Sequence, residues 1–154
     1  MPSETMSHVI CSAALIALIF VSQFFYVQVI NNLEAEMTKR ELQEVADYVS
    51  DTLANLYFLV NSTQSDVEMK KSLNLPSEIG DSIYTLKIAF NASGYAGNVT
   101  AHLKGQPWVS ADSWLLPGLK VDQLESEVVE SGEKTVIAGC SRVSTDVYVW
   151  IKEL

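Results

Sequence analysis

The side chains able to do chemistry are few and scattered. The histidines are His8 and His102. His8 stands at the edge of a long apolar run. His102 falls on the outward face of an alternating segment, where an isolated imidazole is an ordinary surface residue. Cys11 lies inside the apolar run and Cys140 far from it in sequence. The pair forms no C-x-x-C or His–Cys metal spacing, and the placement keeps the two thiols apart within one chain. Cys140 is either a small buried apolar residue or the partner in an intermolecular disulfide. Asp122, Glu125, Glu127 and Glu130 form an acidic run, read as a solvated strand face or as a weak divalent-cation site. No nucleophile elbow, phosphate loop, zinc-protease motif or calcium loop is present. The sequence therefore predicts no enzyme, with no catalytic, metal or cofactor-binding residues.

A different chemical signal sits on asparagine. Asn61-Ser62-Thr63, Asn91-Ala92-Ser93 and Asn98-Val99-Thr100 each match the N-glycosylation acceptor pattern. N-linked glycans at Asn61, Asn91 and Asn98 would place the C-terminal part outside a membrane. Tyr95, Pro107, Trp108 and Trp114 lie close together in sequence and read either as core packing or as a contact surface.

Positioning these residues requires an account of the whole chain. It has 154 residues, with 10 Lys+Arg against 19 Asp+Glu and a formal net charge of −9. No charged residue occurs in residues 5–33, and every acid except Glu4 lies from Glu34 onward. The acidic balance argues against nucleic-acid binding, which needs clustered bases. The Val, Ile, Tyr and Trp content of the later part argues against disorder. Residues 9–30 are apolar apart from Ser12, Ser22, Gln23 and Gln28. About 20 such residues in a helix cross a hydrocarbon core of roughly 30 Å. Phe24, Phe25 and Tyr26 suit the far interface. A cleaved secretory signal fits poorly, because the preceding residues carry no base and no small-x-small site comes after the run. Lys39 and Arg40 alone would weakly place the C-terminal part inside; the three sequons oppose them, and outside is favoured.

Neither Gly nor Pro occurs between Ile30 and Pro76. Leu42, Val45, Val49, Leu53, Leu56 and Val60 recur at steps of three and four, the period of an amphipathic helix. Glu36 and Arg40 stand at i,i+4 in the stabilising order. One continuous helix from about Thr5 to about Ser62 is expected; the alternative is a break near Asn31-Asn32. Such a helix would be roughly 85–90 Å long, about three times what a bilayer needs. Its second half must bury its stripe on the C-terminal part or on a neighbouring chain.

Beyond Lys71 the period changes. Pro76 excludes helix locally. Tyr84, Leu86, Ile88 and Phe90 alternate against Thr85 and Lys87. Tyr95, Val99, Ala101 and Leu103 alternate against Asn98, Thr100, His102 and Lys104, with a turn at Ser93-Gly94 between them. Gly105-Gln106-Pro107 and Pro117-Gly118 punctuate the next stretch of chain. Further strands are expected over residues 119–129, 135–140 and 143–152, with Val143, Thr145, Val147, Val149 and Ile151 on one face. The predicted fold class is α+β. A long helix fills residues 1–72, apolar over 5–33 and amphipathic over 34–62. A small antiparallel β-sandwich or open barrel fills residues 73–154.

This layout resembles archaeal type IV pilin-like proteins, which include surface-filament subunits and accessory proteins of the archaeal flagellum. The resemblance covers the whole chain: a short head, a long apolar helix turning amphipathic, then a small acidic β domain bearing sequons. The start, Ser3-Glu4-Thr5-Met6-Ser7-His8-Val9-Ile10, looks like the beginning of such accessory proteins. The resemblance implies that Glu4 stands where bacterial type IV pilins use a Glu to answer the terminal amine during assembly. The family's basic leader ending in Gly is missing, so the chain is either the processed form or one that is never cleaved; Met1-Pro2 favours the second. Ala13, Ala14 and Ala17, with Ser12, would allow close approach of neighbouring helices. Two functions are therefore expected. The first is a structural filament subunit, a homopolymer through the N-terminal helix that resides in the membrane before assembly. The second is a single-span membrane-anchored accessory protein whose β domain binds a surface layer or filament machine. Neither requires a nucleic-acid partner or a small-molecule substrate.

Overall fold

The computed structural model describes residues 2–63, 65–91, 93–122, 128–132 and 135–154, with side chains from residue 6 onward. It contains one helix, α1 (Pro2–Ser62), followed by β1 (Glu68–Leu73), β2 (Tyr84–Phe90), β3 (Ala96–Leu103), β4 (Gln106–Trp114), β5 (Lys120–Val121), β6 (Val129–Glu130), β7 (Val136–Val143) and β8 (Asp146–Glu153). The helix runs through Asn31-Asn32 without a break. Its only proline occupies the first turn, where no intrahelical N–H bond is lost.

The chain divides into two compact units, Met1–Met37 and Thr38–Leu154. The first is helix alone. The second, the head, contains the rest of α1 and all the strands. Two four-stranded sheets form it, in the orders β1-β7-β8-β5 and β4-β3-β2-β6. The arrangement is α+β, with two sheets and no closed barrel. Leu42, Val45, Val49, Leu53, Leu56 and Val60 are all buried in one cluster with Leu86, Val99, Ala138, Val149 and Ile151. The helical stripe is thus part of the head's own core. A small two-sheet domain has little core of its own, and the helix supplies apolar area that the sheets lack.

Polar contacts fix the helix in register with the strands. Gln43 Nε2 donates to the carbonyl of Asp112 (3.0 Å), and Ser50 Oγ donates to that of Trp114 (2.7 Å). Both acceptors lie on β4, an edge strand, so α1 covers an edge that would otherwise template pairing with another chain. The last turn of α1 carries no basic residue. Arg142 of β7 supplies the charge instead, donating to the carbonyls of Thr63 (2.6 Å) and Asn61 (3.3 Å). A cation there answers the negative end of the helix dipole.

Within the β1-β7-β8-β5 sheet, Trp150 of β8 is only 1% exposed. It lies across Gly139, where an added Cβ would overlap the indole. Lys152 and Lys70 stand over the ring, 4.8 and 5.5 Å from its centroid. Their stems cover the indole while their ammonium groups stay wet.

Several expectations need correction. β1 is a strand that the sequence does not announce, because Glu-Met-Lys-Lys-Ser-Leu is mostly exposed on an edge strand and shows no clear alternation. β4 occupies a stretch whose sequence reads as punctuation; Pro107 lies inside it, tolerated because β4 is an edge. Phe90 is half-exposed, since the register shifts between Ala89 and Phe90 and turns it out of the core face, whereas Thr85 is buried. Val143 ends β7 and Thr145 lies in the turn, so neither shares the buried face of β8. Val143 pairs with Asp146 around Ser144 (φ 57°), whose N–H donates to Asp66 Oδ1 (3.0 Å). β5 pairs in parallel with β8, the one departure from antiparallel pairing among the described strands. The strand expected over residues 119–129 is described only at its ends, as β5 and part of β6.

Candidate functional site

The first functional feature is the apolar segment of α1. Residues 6–29 are exposed on every face. The segment is long and apolar enough to cross a membrane, by length and composition. At a rise of 1.5 Å per residue it spans about 36 Å, against a hydrocarbon core of about 30 Å. Two of its polar interruptions are satisfied internally. Ser12 Oγ donates to the carbonyl of His8 and Ser22 Oγ to that of Ile19, each at 2.9 Å. Such back-bonding removes the cost of taking a hydroxyl into hydrocarbon. Ala13, Ala14 and Ala17 are exposed and fall on one side of the helix. Glu4 belongs to α1, and its side chain lies outside the described residues. Cys11 is exposed within the same segment.

The second feature is the outer surface of the β4-β3-β2-β6 sheet. Trp108 is 76% exposed and Trp114 84%, and Tyr95 is also exposed. Of the two readings of these aromatics, burial in the core is excluded by the exposure itself. Trp108 sits in a bulge of β4: Leu103 of β3 pairs with Gln106, but His102 pairs with Ser110. The intervening Pro107-Trp108-Val109 has no partner in β3, and a bulge of this kind re-aims its side chains. His102 is half-buried on the same outward face of β3.

The sequon asparagines lie in three settings. Asn61 is exposed in the last turn of α1. Asn91 is exposed in the β2–β3 turn, and its Oδ1 accepts from the N–H groups of Ser93 and Tyr95, both at 3.0 Å. Its side chain therefore helps build the turn, which Gly94 completes at φ 78°. Asn98 is half-buried within β3, directly across from Trp114.

The third feature is a cleft of about 310 Å³ between α1 and the β1–β2 connection. Val45, Tyr48, Leu75, Pro76 and Ile79 line it together with Glu41, Glu44 and Glu78. Lys71 stands over the Tyr48 ring at 5.7 Å, so a cation of the chain's own already faces this wall.

Several titratable groups are buried or paired within the head. Cys140 is fully buried, and burial pushes its thiol up to about 12. It is free, as is Cys11, and is enclosed away from any partner thiol. Tyr84 donates its hydroxyl to the carbonyl of Pro76 (2.7 Å), and burial raises its phenol to about 12. Lys120 is bound to Asp146 (2.6 Å), which raises the lysine pKa and ties the β5 segment to β8. Within the acidic run, Glu130 pairs with Lys104 (2.7 Å), while Glu125 and Glu127 lie outside the described residues. No metal-ligating cluster occurs among the described residues. Compared with protein-family models, curated proteins and solved structures, the chain finds no match in any of the three.

Proposed function

We propose that the chain is a single-span membrane-anchored protein whose β head is displayed outside the membrane as a binding module. One observation carries this reading. Residues 6–29 form an uncharged helix exposed on every face, while the amphipathic half of the same helix has its stripe buried in the head. The extra helix length therefore needs no neighbouring chain to account for it. The uncharged segment is left to be covered, and hydrocarbon of matching thickness covers it without unsatisfied backbone groups. The outside placement is supported by the three sequons. The contact surface is the Pro107-Trp108 corner of β4, which is exposed and re-aimed by the bulge. Non-catalytic, cofactor-free operation belongs to the same proposal.

A filament subunit of the type IV pilin-like kind is the second reading. Its specific support is the exposed face of Ala13, Ala14 and Ala17, which would let copies of the helix pack closely and replace lipid. Fractionation of the producing cells separates the two. The anchored protein stays with membranes and leaves them in detergent as a small species. A filament subunit sediments as polymer from sheared cell surfaces, and that result would replace the first reading by the second.

A further inference from the structure

We propose that Asn98 carries an N-linked glycan whose first sugar lies against the indole of Trp114. The proposal rests on the head lying outside the membrane. Its basis is the register of the outer sheet. Asn98 of β3 pairs directly with Trp114 of β4 on one side and with Ala89 of β2 on the other. Directly paired side chains share a face, with Cβ atoms about 5 Å apart. The acceptor asparagine thus stands between a large exposed ring and a small methyl group, which leaves room over Ala89 and a wall at Trp114. Extended backbone also places Thr100, the third residue of the sequon, on the same outward face as Asn98. The Asn98 carboxamide has no hydrogen-bond partner among the described residues, whereas that of Asn91 is engaged by its own turn.

Trp114 is otherwise unexplained. It is 84% exposed and outside the core cluster. Its backbone is nevertheless held by Ser50 through its carbonyl, so the indole is displayed from a fixed position. The C–H face of a pyranose is apolar and complements the face of an indole, which is a broad apolar surface with a negative potential. A sugar on Asn98 would cover that face.

The transfer is a substitution at the anomeric carbon. Asn98 Nδ2 forms the bond to C1 of a lipid-linked sugar phosphate. The C1–O bond breaks with its electron pair leaving on the phosphate, and one Nδ2 proton passes to a base of the transferase. No oxidant or reductant is needed.

The test uses protein isolated from the membranes of the producing cells. Peptide mass mapping is expected to find a glycan on Asn98. Thr100→Val, which removes the acceptor pattern and keeps a strand former, is expected to abolish it. The same substitution should lower the unfolding temperature of the head by about 3 °C when Trp114 is present, and by a much smaller amount in a Trp114→Ala background; Asn98→Gln should behave alike. An unmodified Asn98, or equal losses in both backgrounds, overturns the proposal. Labelling intact cells with a membrane-impermeant amine reagent separates the causes, with exposed Lys70, on the other sheet, as the reporter. If Lys70 is labelled and Asn98 is bare, the glycan proposal falls and the outside head stands. If Lys70 is protected, the outside head falls and the glycan with it.

Discussion

Gly139 of β7 pairs directly with Trp150 of β8, and the space where its side chain would stand is filled by the indole. The glycine is there for close approach, since its φ is not in the left-handed region. Gly139→Ala is expected to force the ring aside and destabilise the head by about 1–3 kcal/mol. Chemical denaturation followed by Trp fluorescence checks this. A neutral result would mean that the ring is not seated on the strand.

Arg142 replaces the basic residue missing from the last turn of α1. Arg142→Ala removes charge-assisted bonds to the Asn61 and Thr63 carbonyls. A loss of about 1–2 kcal/mol is expected. Arg142→Lys should recover only part of it, because an ammonium lacks the planar fork that reaches several carbonyls. Equilibrium unfolding of the three proteins measures the difference.

The two halves of α1 are expected to respond differently to the same change. Leu53 is fully buried in the head's core, so Leu53→Ala should cost about 2–5 kcal/mol. Leu18 is exposed in the uncharged segment, and Leu18→Ala should leave the head's unfolding unchanged in detergent. Equal effects at both sites would contradict the assignment of the stripe to the head.

The head is expected to weaken in alkali. Burial raises Cys140 from 9.0 and Tyr84 from 10.0, each to about 12. Both are acids held neutral in the fold, so the folded state binds the proton more tightly than the unfolded chain. Their contribution is complete below about pH 9 and is lost as pH rises toward 12. Thermal unfolding between pH 8 and 12 checks this, and Tyr84→Phe should flatten the decline above pH 10. Cys140 should also resist a thiol reagent at pH 8 until the head unfolds.

The sequence carried more of the helix than of the strands. The stripe at Leu42, Val45, Val49, Leu53, Leu56 and Val60 was legible because helical period and burial coincide over its whole length. β2, β3 and β8 were legible as alternation, since one face of each packs on the core. β1 and β4 were not, because edge strands use lysine, proline and bulges to discourage pairing, and those residues read as loop. The sequons were visible, but the pairing of Asn98 with Trp114 is set by register, which no local pattern reveals. The exposure of Trp108 likewise depends on the bulge in β4.

Coverage of residues 6–29 by lipid is the central claim. The direct measurement is digestion of the full chain, reconstituted in phospholipid vesicles, with a non-specific protease and mass spectrometry of what survives. A peptide containing residues 6–29 is expected to persist in intact vesicles and to disappear once they are dissolved. Digestion of that segment at the same rate in both conditions would contradict lipid coverage.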